Sequence, residues 1–173
     1  IYAYQKVKDG SWKTPKNPFT KKTEKKYYQV QAQDFLNKIW APEVDYFDNV
    51  AIPKPSQDWG GRTGQGGTVV NISYPSAAMY EVFDQFTNNP SHKFKLLAEC
   101  TLKIRGEILK AKEYYIKPGE KLAEKITPYY DIPDWIAVSW NKNASGEDEI
   151  KLYKIEGRSY KRGYDAIRTL WRI

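Results

Sequence analysis

The hydrophobic period changes at Pro75, and a chain that changes period cannot be all helix or all strand. Before it, "TVVNISY" (68–74) is a compact β-branched run preceded by a glycine-rich stretch, the signature of a buried strand. After it, Met79, Val82, Phe83 and Phe86 fall at i, i+3, i+4 and i+7. Pro75 suits the first turn of a helix, and Asn88, Asn89 and Pro90 stop it. The spacing predicts an amphipathic helix of about three turns. The fold class expected is α+β.

The next stretch, "HKFKLLAECTLKIRGEILKAKEYY" (92–115), reads with a period of two. Phe94, Leu96, Ala98, Cys100, Leu102 and Ile104 alternate with Lys93, Lys95, Glu99, Thr101, Lys103 and Arg105. Gly106 and Glu107 break the run, and Ile108, Lys110, Lys112 and Tyr114 resume it as the returning strand of a hairpin. The outward face of that hairpin is cationic. A solvated sheet face explains this as readily as a ligand does.

The other elements follow from punctuation and period. Residues 1–13 alternate Tyr2, Tyr4, Lys6 and Lys8 against Ile1, Ala3, Gln5 and Val7 and turn at Asp9-Gly10; they read as a strand or an ordered arm. "KTPKNPFTKKTEKK" is a cationic loop interrupted by two prolines, of a kind that can carry function. Residues 25–34 read as a strand, with Asp34 to Trp40 able to bend into a helical turn, and "VDYFDNVAI" near 45–52 as another strand. "WIAVSWNKN" and "DEIKLYKIE" are two strands separated by the turn-prone Asn143 to Gly146. From Arg158 onward, Tyr160, Tyr164, Ile167, Leu170 and Trp171 form a helical stripe. The chain therefore reads as one domain, 1–173, internally doubled at about 1–90 and 91–173, each half four strands and then a helix.

The 173 residues carry a net charge of +7 with a pI near 9.2, and 15% are aromatic. Abundant cations together with stacking-capable rings favour a nucleic-acid partner. No stretch is long and apolar enough to span a bilayer, and no basic amphipathic helix has the wide apolar face of a membrane-surface segment. The single cysteine, Cys100, allows no internal disulfide and reads as a small core residue. The start at Ile1 suggests a processed chain or a fragment. The Asn-x-Ser matches at Asn71 and Asn143 are short enough to arise by chance.

Two units of four antiparallel strands plus a helix resemble the Whirly superfamily, with "GTVVNISYPSAAMYEVFDQF" and "HKFKLLAECTLKIRG" standing for its strand, helix and next strand. Basic charge, processed start and long first loop look most like the kinetoplastid mitochondrial guide-RNA-binding proteins. The Lys-Gly-Lys-Ala-Ala-Leu motif of the plant members is absent. The resemblance implies a mitochondrial subunit that pairs with a homologous chain in a tetramer, holds single-stranded guide RNA by its sugar-phosphate backbone and promotes annealing in RNA editing. On this reading Lys93, Lys95, Lys103, Arg105, Lys110 and Lys112 form a charged track, with Arg62, Lys6 and Lys8 adding to it and Tyr114, Tyr2 and Tyr4 available for stacking.

Catalysis is not expected, nor a metal or cofactor. His92 is the only histidine, so a two-histidine ribonuclease site is impossible, and on one strand it stands about 26 Å from Cys100. "GGRTGQGG" lacks the Lys-Ser/Thr ending of a phosphate loop and precedes a strand. Glu147, Asp148 and Glu149 flank a turn and read as a solvated tip. The alternative function is a small basic ribonuclease or toxin domain; a domain that docks on an acidic protein is a third.

Overall fold

The computed structural model describes residues 1–24, 26–57, 61–62, 67–88, 90–111 and 134–155, with 61–62 described by their backbone alone. Two helices, α1 (Tyr2–Lys8) and α2 (Tyr27–Glu43), lead into an antiparallel hairpin of β1 (Val44–Phe47) and β2 (Val50–Pro53). Asp48 and Asn49 turn that hairpin with φ of 46° and 59°, the pair of left-handed residues that a tight primed turn needs. β3 (Gly61–Arg62) and β4 (Thr68–Asn71) follow, then α3 (Ala77–Thr87) and α4 (Lys93–Lys110), and finally β5 (Trp135–Lys142) and β6 (Asp148–Tyr153). β4, β5 and β6 form an antiparallel sheet in that order, Thr68 opposite Val138 and Val138 opposite Leu152, with the two-residue β3 along the outer edge of β4. The molecule is α+β, as expected.

α4 organises both parts of the core. Phe94, Leu97, Ala98, Thr101, Ile104, Arg105 and Ile108 recur at three and four residues and are buried, so one face of the helix is lost to water. Phe94 and Leu97, on its first turns, pack with Leu36, Val44 and Ala51, and the half-buried Ile39, Trp40, Phe83 and Phe86 close around them. Cys100, Ile104 and Ile108 pack instead with Val50, Ile52, Val70, Ile72, Ile136, Val138, Trp140 and Leu152, filling the space beneath the sheet.

Several sequence expectations are corrected. Residues 1–13 and 25–34 are not strands: they contain α1 and the start of α2. The hairpin expected from His92 onward is the helix α4, while Lys112 and Tyr114 lie outside the described residues. The physical reason is a coincidence of periods. Phe94, Ala98, Ile104 and Ile108 suit a period of two as well as one of 3.6, and the positions that complete the helical stripe include polar Thr101 and Arg105. The run is also rich in Lys, Leu, Glu and Ala, which favour helix. "VDYFDNVAI" is two strands and a turn rather than one strand. Instead of two four-stranded sheets each followed by a helix, there is a two-stranded hairpin and a sheet of three full strands extended by β3. The observed order of elements therefore does not carry the Whirly resemblance.

The strand at 68, the helix over 77–87, the last two strands and the turn between them stand where the sequence put them. Within α3, Phe83 and Phe86 face the core, whereas Met79 and Val82 are exposed and Asp84 is buried. The expected C-terminal helix lies outside the described residues, as does most of the glycine-rich loop before β4.

Gly67 ends that loop against β5. A Cβ there would stand 2.6 Å from the carbonyl carbon and oxygen of Val138 and 2.8 Å from the nitrogen of Ser139, all backbone atoms that cannot rotate away. Gly67→Ala is therefore expected to lower stability by about 1–3 kcal/mol in chemical denaturation, whereas Gly106→Ala, where the added carbon meets nothing within 4 Å, should stabilise α4 by up to about 1 kcal/mol.

Candidate nucleic-acid interface

Helical geometry scatters the cations that alternation lined up. Lys93 is half-buried, with its Nζ 5.1 Å from the centre of the Trp40 ring and 5.4 Å from that of Phe94. Lys95 is exposed. Lys103 and Lys110 share another face, seven residues or nearly two turns apart. Both line a shallow depression that also holds Glu107 and Asp148, so the charge of that face is partly neutralised.

Arg105 is a core residue, only 2% exposed. One guanidinium nitrogen donates to the carbonyl of Ile72 at 3.3 Å and to that of Pro75. Those carbonyls belong to the turn between β4 and α3. The same turn is tightened by Asn71, whose side-chain oxygen accepts from the amide and hydroxyl of Ser73 at 3.1 and 2.7 Å. Arg105 thus fastens α4 to the strand-to-helix corner and is not available to a phosphate.

At the far side of α4, Lys103 donates to Asp148 at 2.9 Å, Lys142 pairs with the other carboxylate oxygen, and the Lys103 ammonium lies 5.5 Å from the centre of the Trp140 ring. The Lys142 ammonium, then that of Lys103, hold the Asp148 carboxyl well below the usual carboxylate range. The tip expected to be merely solvated is a charge cluster joining α4 to the β5–β6 hairpin.

His92 precedes α4 in a left-handed conformation, φ 45°. Its Nδ1 lies 2.8 Å from an oxygen of the buried Asp84, whose second oxygen accepts the Lys95 amide at 3.1 Å. Asp84 reaches across from α3 to cap the start of α4, a position where the helix dipole favours a negative charge. Across a helical stretch His92 and Cys100 are about 12 Å apart, too far to act together. Burial pushes the Cys100 thiol up from its ordinary range, in keeping with a core residue.

The surplus charge sits elsewhere. Residues 1–26 carry eight lysines against Asp9 and Glu24, a surplus of six in a chain of net charge +7; residues 158–173 carry a further surplus of four, and the residues between them are net acidic. α1 buries none of its residues. It is tied down by Ile1, which packs beside the Phe94 cluster, and by an edge-to-face contact of Tyr4 with Phe86 at 5.7 Å. Asp9, accepting from the Ser11 amide at 2.8 Å, and Gly10, at φ 82°, reverse the chain. Trp12 then lies edge-to-face against Tyr2 at 5.9 Å, and the Lys6 ammonium stands 5.5 Å from the centre of the Tyr2 ring.

Lys8, Lys13, Lys16, Lys21, Lys22 and Lys26 are exposed. Two of them, Lys8 and Lys26, line a groove of about 310 Å³ together with Tyr4, Val7, Thr14 and Gln29. Of the residues expected to bind, Lys6 and Lys8 belong to this segment; nothing is described of the Arg62 side chain. Alternation hid the segment because it looks for a face, and the usable signal was the segregation of charge along the chain. Among the described residues, no three His, Cys, Asp or Glu side chains group as metal ligands would, and no helix is long and apolar enough to cross a membrane.

Replacing Arg105 by Ala is expected to cost about 3 kcal/mol or more by denaturation, because two buried carbonyls lose a charged donor and a cavity opens, while nucleic-acid affinity of the folded protein stays unchanged. Asp148 gives a pH test. Its folded pKa is depressed, so the stability it adds is present above the unfolded value near 4 and is lost as pH falls through the folded value. The melting difference between wild type and Asp148→Asn should thus be constant from neutral pH down to about pH 5 and shrink below about pH 4; this pair is largely solvated and should contribute no more than about 1 kcal/mol.

Compared with known proteins, the chain matches no family model, no curated protein and no solved structure.

Proposed function

We propose that the protein binds single-stranded nucleic acid through its sugar-phosphate backbone, using the lysine-rich segment 1–26. The observation that carries the reading is the surplus of six positive charges in those residues, with six of their lysines exposed and two of these, Lys8 and Lys26, lining a groove. A polyanion that releases counterions on contact is the ligand such a surface attracts most strongly. In the narrower form implied by the Whirly resemblance, the ligand is guide RNA, the activity annealing, the setting the mitochondrion, and the assembly a tetramer with a homologous subunit. Because α4 is a helix, the element order behind that resemblance is lost, and the proposal is made in its general form with RNA as the ligand.

The ribonuclease alternative has one observation in its favour. A histidine whose Nδ1 is held by a buried carboxylate presents its other nitrogen to solvent, the arrangement of a general base. Asp84 is also the cap of α4, which explains the pair without catalysis.

Binding of a labelled single-stranded RNA across a salt series, with the same samples run on a denaturing gel, separates these readings. If about six phosphates are neutralised, the log–log slope against salt is about −4. Lys21→Ala/Lys22→Ala should reduce that slope by about 1.4 and leave the RNA intact. A flat salt dependence overturns the proposal; cleavage that His92→Ala abolishes establishes the enzyme.

A further inference from the structure

Phe19 is 88% exposed, far beyond any other large hydrophobic side chain in the described residues. An apolar ring standing in water on a frayed loop would be unremarkable, but this loop is held by its own hydrogen bonds. Lys16 and Thr23 pair as a single antiparallel bridge, Asn17 exchanges backbone bonds with Lys22 and Lys21 at 2.9 Å, and Glu24 donates its amide to Pro15 at 3.1 Å. Inside that closure the Asn17 side-chain oxygen accepts the amides of Phe19 and Thr20 at 2.9 and 3.2 Å. Pro18 between them fixes φ for the turn. One Glu24 oxygen then accepts from both the Asn17 amide group and the Thr20 hydroxyl at 3.0 Å.

The network has two consequences. The polar side chains of Asn17 and Thr20 are both engaged with Glu24, and the exposed face of the tip carries the Phe19 ring beside Pro18 together with Lys16, Lys21 and Lys22. The backbone that carries the ring is also fixed before any ligand arrives, which reduces the ordering cost of a contact made there.

Resting on the reading above, we infer that the Pro15–Glu24 loop is a base-stacking tip: Phe19 stacks on an unpaired base while Lys16, Lys21 and Lys22 contact the flanking phosphates. A ring paired with cations matches a nucleotide strand in both of its parts, the apolar base face and the charged backbone. A duplex hides its base faces, so the ring selects for single strands, a preference that lysines alone do not supply. A lipid surface fits less well, because one ring without a wider apolar face gives weak anchoring.

The test compares wild type, Phe19→Ala, Phe19→Trp and Lys21→Ala/Lys22→Ala in binding a labelled oligouridine, an RNA duplex of the same length and phosphatidylserine vesicles. Phe19→Ala is expected to weaken oligouridine binding by about 5- to 150-fold, to leave duplex binding within about twofold and to keep the salt slope, since the ring carries no charge. Phe19→Trp should restore or exceed wild-type affinity. Ultraviolet cross-linking of 5-iodouridine-substituted RNA should map to Phe19 by mass spectrometry, a signal that a merely structural ring would not give. Phe19 is solvent-exposed, so its removal leaves the fold intact.

If Phe19→Ala binds oligouridine like wild type while Lys21→Ala/Lys22→Ala weakens it, the stacking tip is wrong and the backbone-binding function stands. If wild type fails to bind oligouridine even at low salt, both fall. Loss of vesicle binding in Phe19→Ala with RNA affinity unchanged would reassign the tip to anionic lipid and overturn the inference.

Discussion

The burial of one face of α4 is the contact on which the remaining elements depend. Its first turns give Phe94 and Leu97 to a cluster with α2 and the β1–β2 hairpin, and its later turns give Cys100, Ile104 and Ile108 to the sheet. Neither sheet could stand without it, since a two-stranded hairpin is marginal in water and three short strands need a covered face. Fully burying a Leu, Ile or Phe contributes about 1.5–3 kcal/mol each, and the four such side chains of α4, Phe94, Leu97, Ile104 and Ile108, tie two otherwise separate clusters into a single cooperative unit. The polar members of the stripe fit the same role. Arg105 supplies charged hydrogen bonds to the corner between β4 and α3, and Asp84 caps α4 from α3. The helix is fixed at its start and near its middle by groups that only this packing satisfies.

That commitment determines where a ligand of opposite charge can bind. Lys93 lies over aromatic rings, Lys103 pairs with Asp148, and Arg105 is enclosed, so three of the five cations of α4 serve the fold first, while Lys95 and Lys110 are exposed. The N-terminal segment is built differently. It buries little, is ordered by turns and side-chain-to-backbone hydrogen bonds, and carries a surplus of six positive charges. Core and charged surface are thus drawn from different stretches of sequence, and substitutions in one should leave the other undisturbed.

The strands of the central sheet and the helix α3 were legible because their signals are local: β-branched runs, a turn-prone Asn-Ala-Ser-Gly, and apolar residues at unambiguous helical spacing. α4 was not, for a reason visible in its residues. A helix that buries Thr101 and Arg105 weakens its own 3.6-residue pattern, and the even-numbered apolar positions it retains imitate a strand. Gly106, read as a hairpin break, is a glycine tolerated within a helix where nothing crowds its Cα. The buried polar groups could be understood only from their partners, Ile72 and Pro75 thirty and more residues away. The loop at 15–24 was legible as a cationic loop, whereas its internal closure depends on Asn17 and Glu24 meeting across seven residues, a pairing that no periodicity reports.

Concentrating eight lysines in 26 residues has an energetic consequence for the unliganded protein. Like charges within a Debye length of about 8–10 Å repel, and none of the described residues of this segment is fully buried to offset the repulsion. Hydrogen bonds centred on Asn17, the bridge between Lys16 and Thr23, and the single carboxylate of Glu24 hold the loop closed against it. Glu24 is therefore placed where it matters twice: it accepts both inward-facing donors, and it is the only acidic side chain of the loop. A bound polyanion would remove the repulsion without disturbing the hydrogen bonds, so ligand binding and loop order reinforce each other through the same linkage that stabilises any protein by what binds its folded form. The arrangement favours a ligand that brings negative charge to the lysines from outside while leaving Asn17 and Glu24 in place, as a phosphate backbone passing over the tip would do.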